Sequence, residues 1–494
     1  MTFPPPLPLD VPAAKTRWPL GLMATLSLAM ALSTLSTSIA SVALPTLARS
    51  FEASFSAVQW IVLAFLLAVT TLIVSVGRLG DLIGPRRLML WGIGLFTLAS
   101  GVCGLSPDLS VLIGARVFQG LGAAVLMALS LAFVSAAVPK SHSGRAMGLI
   151  GTMSAIGTAL GPSLGGFLLV QFDWSALFLI NLPIGGLLLV LAWLYLPADP
   201  KNGSTSPRAR FDVPGTILLA LSTGSYALAL TVNPATAADP TATGLSRFIA
   251  PQSLMLLGVA TASALGFIVL QSRSSSPLIP LDRLKAPRLR NGLILAVMVM
   301  SVMMATLVVG PFWLSFGLHL PAPQVGLAMS TGPIVSALTG IPAGRLIDRF
   351  GPFLIMRSGL AVCACGCLAL GLLPLTSGMA GYMAVIATVT CGYALFQAAN
   401  TTAVMANVEA TERGAISGAL NLARNLGLIT GAALLGTAFA RATGAADATR
   451  AEPLAIAAGF HTTFLLAAGI ILMALVVALF TPALPSKAVE GAPS

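Results

Sequence analysis

Two arginines ask for a chemical explanation before any other residues of this 494-residue sequence. Arg116 and Arg424 each stand in a long apolar stretch that is otherwise without ionised side chains. A guanidinium inside hydrocarbon costs several kcal/mol unless it is hydrated or hydrogen-bonded, so each must face a polar partner or a wet cavity, or snorkel back to an interface. Gln119 stands one helical step beyond Arg116. Ser417, Asn421 and Asn425 share helical spacing with Arg424, and Tyr393, Gln397, Asn400 and Thr401 form a second such stripe. Ser33, Thr37 and Ser41 form a third. Polar stripes on apolar rods turn inward, where they either wall a cavity or hydrogen-bond between helices at about 0.6–2 kcal/mol per contact.

Other chemistry is sparsely provided for. None of the 15 Asp and Glu residues lies in the middle of an apolar run, and there are three histidines in all. No nucleophile–base pair, His–Glu metal constellation or phosphate-binding loop can be placed. Cys363, Cys365 and Cys367 look like metal ligands on paper, but steps of two rotate by about 200° on a helix, so Cys365 should face away from the other two. The sequence therefore predicts no enzyme and no cofactor.

The elements that must position the arginines are legible from composition. The chain is 56% hydrophobic and 8% charged, with a mean hydropathy of +0.94, whereas soluble domains carry about 25% charged residues. Its uncharged runs accommodate fourteen membrane-crossing helices of roughly 20 residues each. Of the 26 basic residues, four (Arg49, Arg247, Arg441 and Arg450) fall on one side of that topology and two lie within helices. The other 20 fall on the opposite side. This positive-inside bias predicts a multi-pass bacterial inner-membrane protein with both termini cytoplasmic. The net charge of +11 then reflects topology, with lipid bilayer and not nucleic acid as the partner.

An internal repeat divides the chain. Gly77-Arg78-Leu79-Gly80-Asp81-Leu82-Ile83-Gly84-Pro85 recurs as Gly344-Arg345-Leu346-Ile347-Asp348-Arg349-Phe350-Gly351-Pro352, with six of nine positions identical. Such repeats build many secondary transporters around a site near the bilayer midplane. The expected organisation is a tail over 1–17, a six-helix bundle over 18–200 and a two-helix insertion with its linkers over 201–289. A second six-helix bundle over 290–482 and a tail over 483–494 complete it. Gly157, Gly161 and Gly165 recur every four residues as a smooth stripe, with Pro162 and Gly166 beside it. This suits a hinge, a seal between bundles or plain glycine-mediated packing.

In these motifs the chain resembles the major facilitator superfamily, and within it the fourteen-helix drug:proton antiporter branch. The repeat resembles the superfamily's loop motif, and 116–122 its helix 4 motif. The stretch 157–166 resembles the antiporter motif of helix 5, and Asp212-Val213-Pro214-Gly215 resembles the start of the additional helix pair. The resemblance implies two six-helix bundles plus two helices, in an all-α integral membrane fold. It further implies a monomeric exporter of lipophilic small molecules driven by protons. A latch would be formed by Gly77, Arg78, Asp81, Gly84 and Arg145, with Arg345 and Asp348 in the second copy. Arg116 would handle protons or substrate. The alternative for the loop is a static anchor, and for Asp348 a structural role. A single-metabolite exporter, an importer or a membrane sensor are the other functional readings.

One departure matters. Many members of that branch carry an aspartate where this chain has Ser36, and an asparagine where it has Ser41. Ser36, Ser41, Gln119, Tyr393, Gln397, Asn400 and Asn421 are the expected cavity wall. Without an embedded carboxylate, permanently cationic substrates become unfavourable, and neutral, zwitterionic or anionic amphiphiles are favoured.

Overall fold

The computed structural model describes residues 20–73, 75–137, 143–199, 212–231, 251–273, 286–406, 408, 413–444 and 451–481. Both expected tails, and most of the linkers around the inserted pair, lie outside these residues. The described residues form helices and no strand. Thirteen helical segments are long and apolar enough to cross a membrane. A fourteenth, Ala322–Phe350, bends by 45° between Gly340 and Pro342. Outward-facing Trp193, Leu338 and Met473 are more than half exposed, as a lipid-facing surface requires.

The helices are α1 (Leu20–Ser50), α2 (Phe55–Ile73), α3 (Val76–Ile83), α4 (Pro85–Gly104), α5 (Leu109–Ala137), α6 (Ser143–Gln171), α7 (Ala176–Leu179) and α8 (Asn181–Tyr195). These pack on one another as a first bundle. An accessory pair follows, α9 (Val213–Thr231) and α10 (Pro251–Arg273). The second bundle comprises α11 (Pro287–Phe312), α12 (Ala322–Phe350), α13 (Pro352–Gly371), α14 (Gly378–Met405), α15 (Arg413–Thr430), α16 (Gly436–Ala442) and α17 (Pro453–Leu479). Two π-helical turns, Trp313–Gly317 and Gly431–Leu435, interrupt its α-helical geometry.

The repeat is structural as well as textual. A turn at Ser75 precedes α3, and the bend of α12 falls beside the matching Pro342. Gly84 and Gly351 both take positive φ, +98° and +80°, which L side chains avoid, and each is followed by a proline opening the next helix. Matching glycines then let the next two helices cross closely. A Cβ on Gly122 would stand 2.7 Å from the Phe96 nitrogen and 2.8 Å from the Gly92 carbonyl, and one on Gly392 would stand 2.5 Å from the Cys363 nitrogen and 2.6 Å from the Gly359 carbonyl.

Asp199, just past α8, closes the loop-motif end of the first bundle. Its carboxylate accepts the backbone N–H groups of Arg86 (2.9 Å) and Arg87 (3.2 Å), capping α4, and lies 4.0 Å from the Arg87 guanidinium. A Cβ on Gly84 would meet this carboxylate at 2.5 Å. Asp199→Ala should cost about 1 kcal/mol, read as a lower melting temperature of the purified protein in detergent. Gly84→Ala should cost more, because it adds backbone strain to the collision.

Candidate functional site

Arg116 lies in the core of the first bundle with no exposed surface, so it neither snorkels nor lines a wet cavity. Its Nε donates to the Ile61 carbonyl (2.9 Å). Its Nη1 donates to Gln119 Oε1 (2.5 Å) and lies 3.4 Å from both the carbonyl and the hydroxyl of Ser36. The guanidinium carbon sits 4.2 Å above the Phe65 ring. Gln119 passes the network on to Ser100 (2.6 Å), whose hydroxyl donates to the Phe96 carbonyl (2.7 Å). No carboxylate of the described residues pairs with Arg116, and its Nη2 has no hydrogen-bond partner. A buried cation held entirely by neutral acceptors is costly to retain, which is the mark of a group kept for function.

This geometry corrects part of the expected cavity wall. Ser36, Ser41 and Gln119 are wholly buried around Arg116 or back-bonded along α1, Ser41 donating to the Thr37 carbonyl (3.4 Å). Asn400 is also buried, donating to the Gly292 carbonyl of α11 (3.1 Å), so it ties two helices together. A stripe shows that a face turns inward. It does not tell a channel wall from a helix contact.

The second bundle does present a polar face that is only partly buried. Arg424 of α15 donates to Thr401 Oγ1 of α14 (2.8 Å), and the Gln397 amide, oriented to satisfy both groups, accepts from its Nη2 and Nε at 3.0 Å each. The Tyr393 hydroxyl continues the row, 3.8 Å from the Met300 sulfur. Asn421 and Asn425 flank the arginine and are likewise half-buried. Tyr393, Gln397 and Thr401 recur every four residues, which aligns them along α14 opposite a single cation. Ser417's side chain lies outside the described residues.

The two bundles meet at one end. Phe55 packs on Phe312 (centroids 4.7 Å) and on Phe439 (5.1 Å), and the Arg49 guanidinium lies 4.4 Å above the Phe316 ring. The Gln59 amide donates to the Ala432 carbonyl in the second π-turn, whose widened geometry presents that carbonyl sideways. On the other flank α6 crosses α12. A Cβ on Gly166 would lie 2.9 Å from the Ala322 carbonyl, and one on Gly326 would collide with the Pro162 carbonyl.

The glycine stripe is therefore divided. Gly157 and Gly161 seat α6 against Ala31, Thr34 and Ser38 of α1, and Gly165 touches Ile39, all within the first bundle. Gly166, off the stripe, forms the contact between bundles, and Gly326 was a partner no sequence motif indicated. Of the loop motif, the backbone of α3 is described, whereas the side chains of Gly77, Arg78, Asp81 and Arg145 lie outside the described residues. Arg345 and Asp348 are exposed on the last turns of α12. As the helical spacing required, Cys363 and Cys367 are buried and Cys365 is exposed.

Two helical bundles sealed at one end, each carrying a polar cluster amid apolar walls, define a multi-pass membrane transporter. Comparison with known proteins places it further: residues 26–432 match the Major Facilitator Superfamily, and the chain belongs to that superfamily. It is not an enzyme. It is 32% identical over 408 residues to the multidrug resistance protein Stp of Mycobacterium tuberculosis, covering 81% of this chain and 72% of Stp. It is 30% identical over 457 residues to the riboflavin transporter RibZ of Clostridioides difficile, covering 91% of this chain and 94% of RibZ. The nucleoside transporter NupG shares its fold, with a TM-score of 0.64 over 93% of this chain and 99% of NupG at 13% identity.

Proposed function

We propose that the chain exports lipophilic small molecules across a bacterial plasma membrane by proton antiport, its two bundles alternating access to a shared path. The carrying observation is the partly buried row of Tyr393, Gln397 and Thr401 facing Arg424, a cation and hydrogen-bonding groups on otherwise apolar helices. Such a face suits an amphiphile with an anionic or neutral polar head, because a fixed cation there disfavours a second positive charge. The positive-inside bias supports a sealed end that faces outward and a loop-motif end that faces the cytoplasm. Stp, named for multidrug resistance, supports the export reading. RibZ, named for riboflavin, supports the narrower alternative of a carrier for one polar, aromatic metabolite.

Reconstitution into liposomes with an imposed pH gradient, with uncharged, anionic and permanently cationic amphiphiles as probes, tests the proposal. Gradient-driven flux of anionic and neutral probes is expected. Flux indifferent to the gradient overturns the coupling, and preferred transport of a permanent dication overturns the substrate class. In the same assay Arg424→Ala should raise KM for the anionic probe by about tenfold, and for the neutral probe by no more than about twofold.

A further inference from the structure

We propose that the seam between α6 and α12 carries a binding site for a single acyl chain of a bilayer lipid, gripped by one wall from each bundle. The inference rests on neither the transported substrate nor proton coupling.

The site is built where two helices touch through their backbones. A Cβ on Gly166 would stand 3.1 Å from the Gly326 Cα and 3.3 Å from the Pro323 Cα, so no side chain separates α6 from α12 at that point. Larger side chains flank the contact. Ser163, Phe167 and Val170 stand at i, i+4 and i+7 on α6, and Pro323 and Leu327 at i and i+4 on α12, so each set keeps to one helix face. These two rows line a groove of about 320 Å³. Phe167, Val170 and Leu327 are each more than half exposed, which opens the groove on the lipid-facing surface.

The chemistry of the groove selects its occupant. The runs 149–171 and 320–344 contain no Asp, Glu, Lys, Arg or His, as hydrocarbon depth requires. Ser163 lies eight residues before Gln171, the end of α6, or about 12 Å along the helix. Its hydroxyl donates to the Leu160 carbonyl of the same helix (3.3 Å), and Pro323 has no N–H to offer. A polar head finds no partner on these walls, whereas a methylene chain gains dispersion contact along both rows. An empty groove would forfeit those contacts, and acyl chains are the solvent of this surface. A packing helix, about 10–12 Å across with its side chains, is too broad to enter. Because the walls come from different bundles, the site exists while α6 and α12 touch and is lost when they part.

Photolabelling of the full chain in phosphatidylcholine liposomes tests this. A trace of phosphatidylcholine with a diazirine on one acyl chain serves as the probe, and adducts are located by mass spectrometry. Adducts on 163–170 and 323–327 should exceed those on 465–473 of α17 by about fivefold or more. Leu466 and Met473 there are comparably exposed and measure ordinary lipid contact. Gly326→Val, which holds the two helices apart, should bring groove labelling down to the α17 level. Equal labelling of α6, α12 and α17 in the parent chain overturns the site, leaving boundary lipid only. Groove labelling abolished by a saturating lipophilic anion overturns the acyl-chain assignment in favour of transported substrate. Labelling that falls as the protein-to-lipid ratio rises overturns it in favour of a second copy of the chain. Full groove labelling of folded Gly326→Val overturns the seam as its location.

Discussion

Arg116→Met is expected to abolish transport, by more than about 100-fold, while leaving the purified protein as stable as the parent. Methionine approximates the volume of the arginine stem and removes the cost of holding a guanidinium out of water. The Ile61 carbonyl keeps its place in the α2 helix and Gln119 Nε2 still donates to Ser100. That leaves Gln119 Oε1 as the acceptor that loses its donor, a cost of about 1–3 kcal/mol set against the desolvation relieved. What is lost is the charge, with its free Nη2 and its contact with Ser36. Thermal unfolding and liposome flux, measured on the same preparation, decide the matter. A variant that is inactive because it is unfolded would make Arg116 structural.

Ser36→Asp probes the same pocket from the other side. An aspartate at that position would stand beside Nη1, now 3.4 Å from the serine hydroxyl, and form a buried pair with Arg116. We expect it to introduce a titratable carboxylate and raise flux of a monocationic probe by about tenfold or more, with cation flux lost as that carboxylate is protonated. Unaltered cation flux would show that the serine at 36 does not set substrate charge.

Gly326→Val is expected to lower transport more than tenfold, at about normal yield of folded protein, because it blocks closure of the sealed end. Any Cβ at this position drives into the Pro162 carbonyl, and Gly166 lies 3.0 Å away on the same side. Backbone cannot step aside as a side chain can, so the two bundles must be held apart. Cysteine labelling at the sealed end should rise as flux falls. Gly161→Val offers the contrast. Its side chain would strike Ser38 of α1 inside the first bundle, so the expected loss is of folded protein, seen as reduced yield and lower thermal stability. Should both valine variants fold normally and transport normally, the division of the glycines between packing and sealing is wrong.

The sequence by itself determined the solvent and the class of fold. Uncharged runs of membrane length leave no alternative to spanning helices, because every backbone N–H and C=O must be satisfied within its own segment. The glycine–arginine–aspartate repeat disclosed the duplication, since six of its nine positions coincide in register. It also marked Arg116 and Arg424 as costly charges, because desolvation is a property of the residue and its neighbours in the chain.

Tertiary structure decided which partner each inward face would meet. Asn400 belongs to the same stripe as Tyr393, Gln397 and Thr401, yet it is spent on the Gly292 carbonyl, and Ser36 and Gln119, expected in the cavity wall, are spent on Arg116. Gly157 and Gly166 belong to one motif but touch different bundles. Gln59 acquires its role only because a π-turn distant in sequence offers it a carbonyl. Periodicity fixes the angle at which a side chain leaves its helix. What lies at the end of that angle depends on how helices far apart in the chain cross, and no local pattern encodes those crossings.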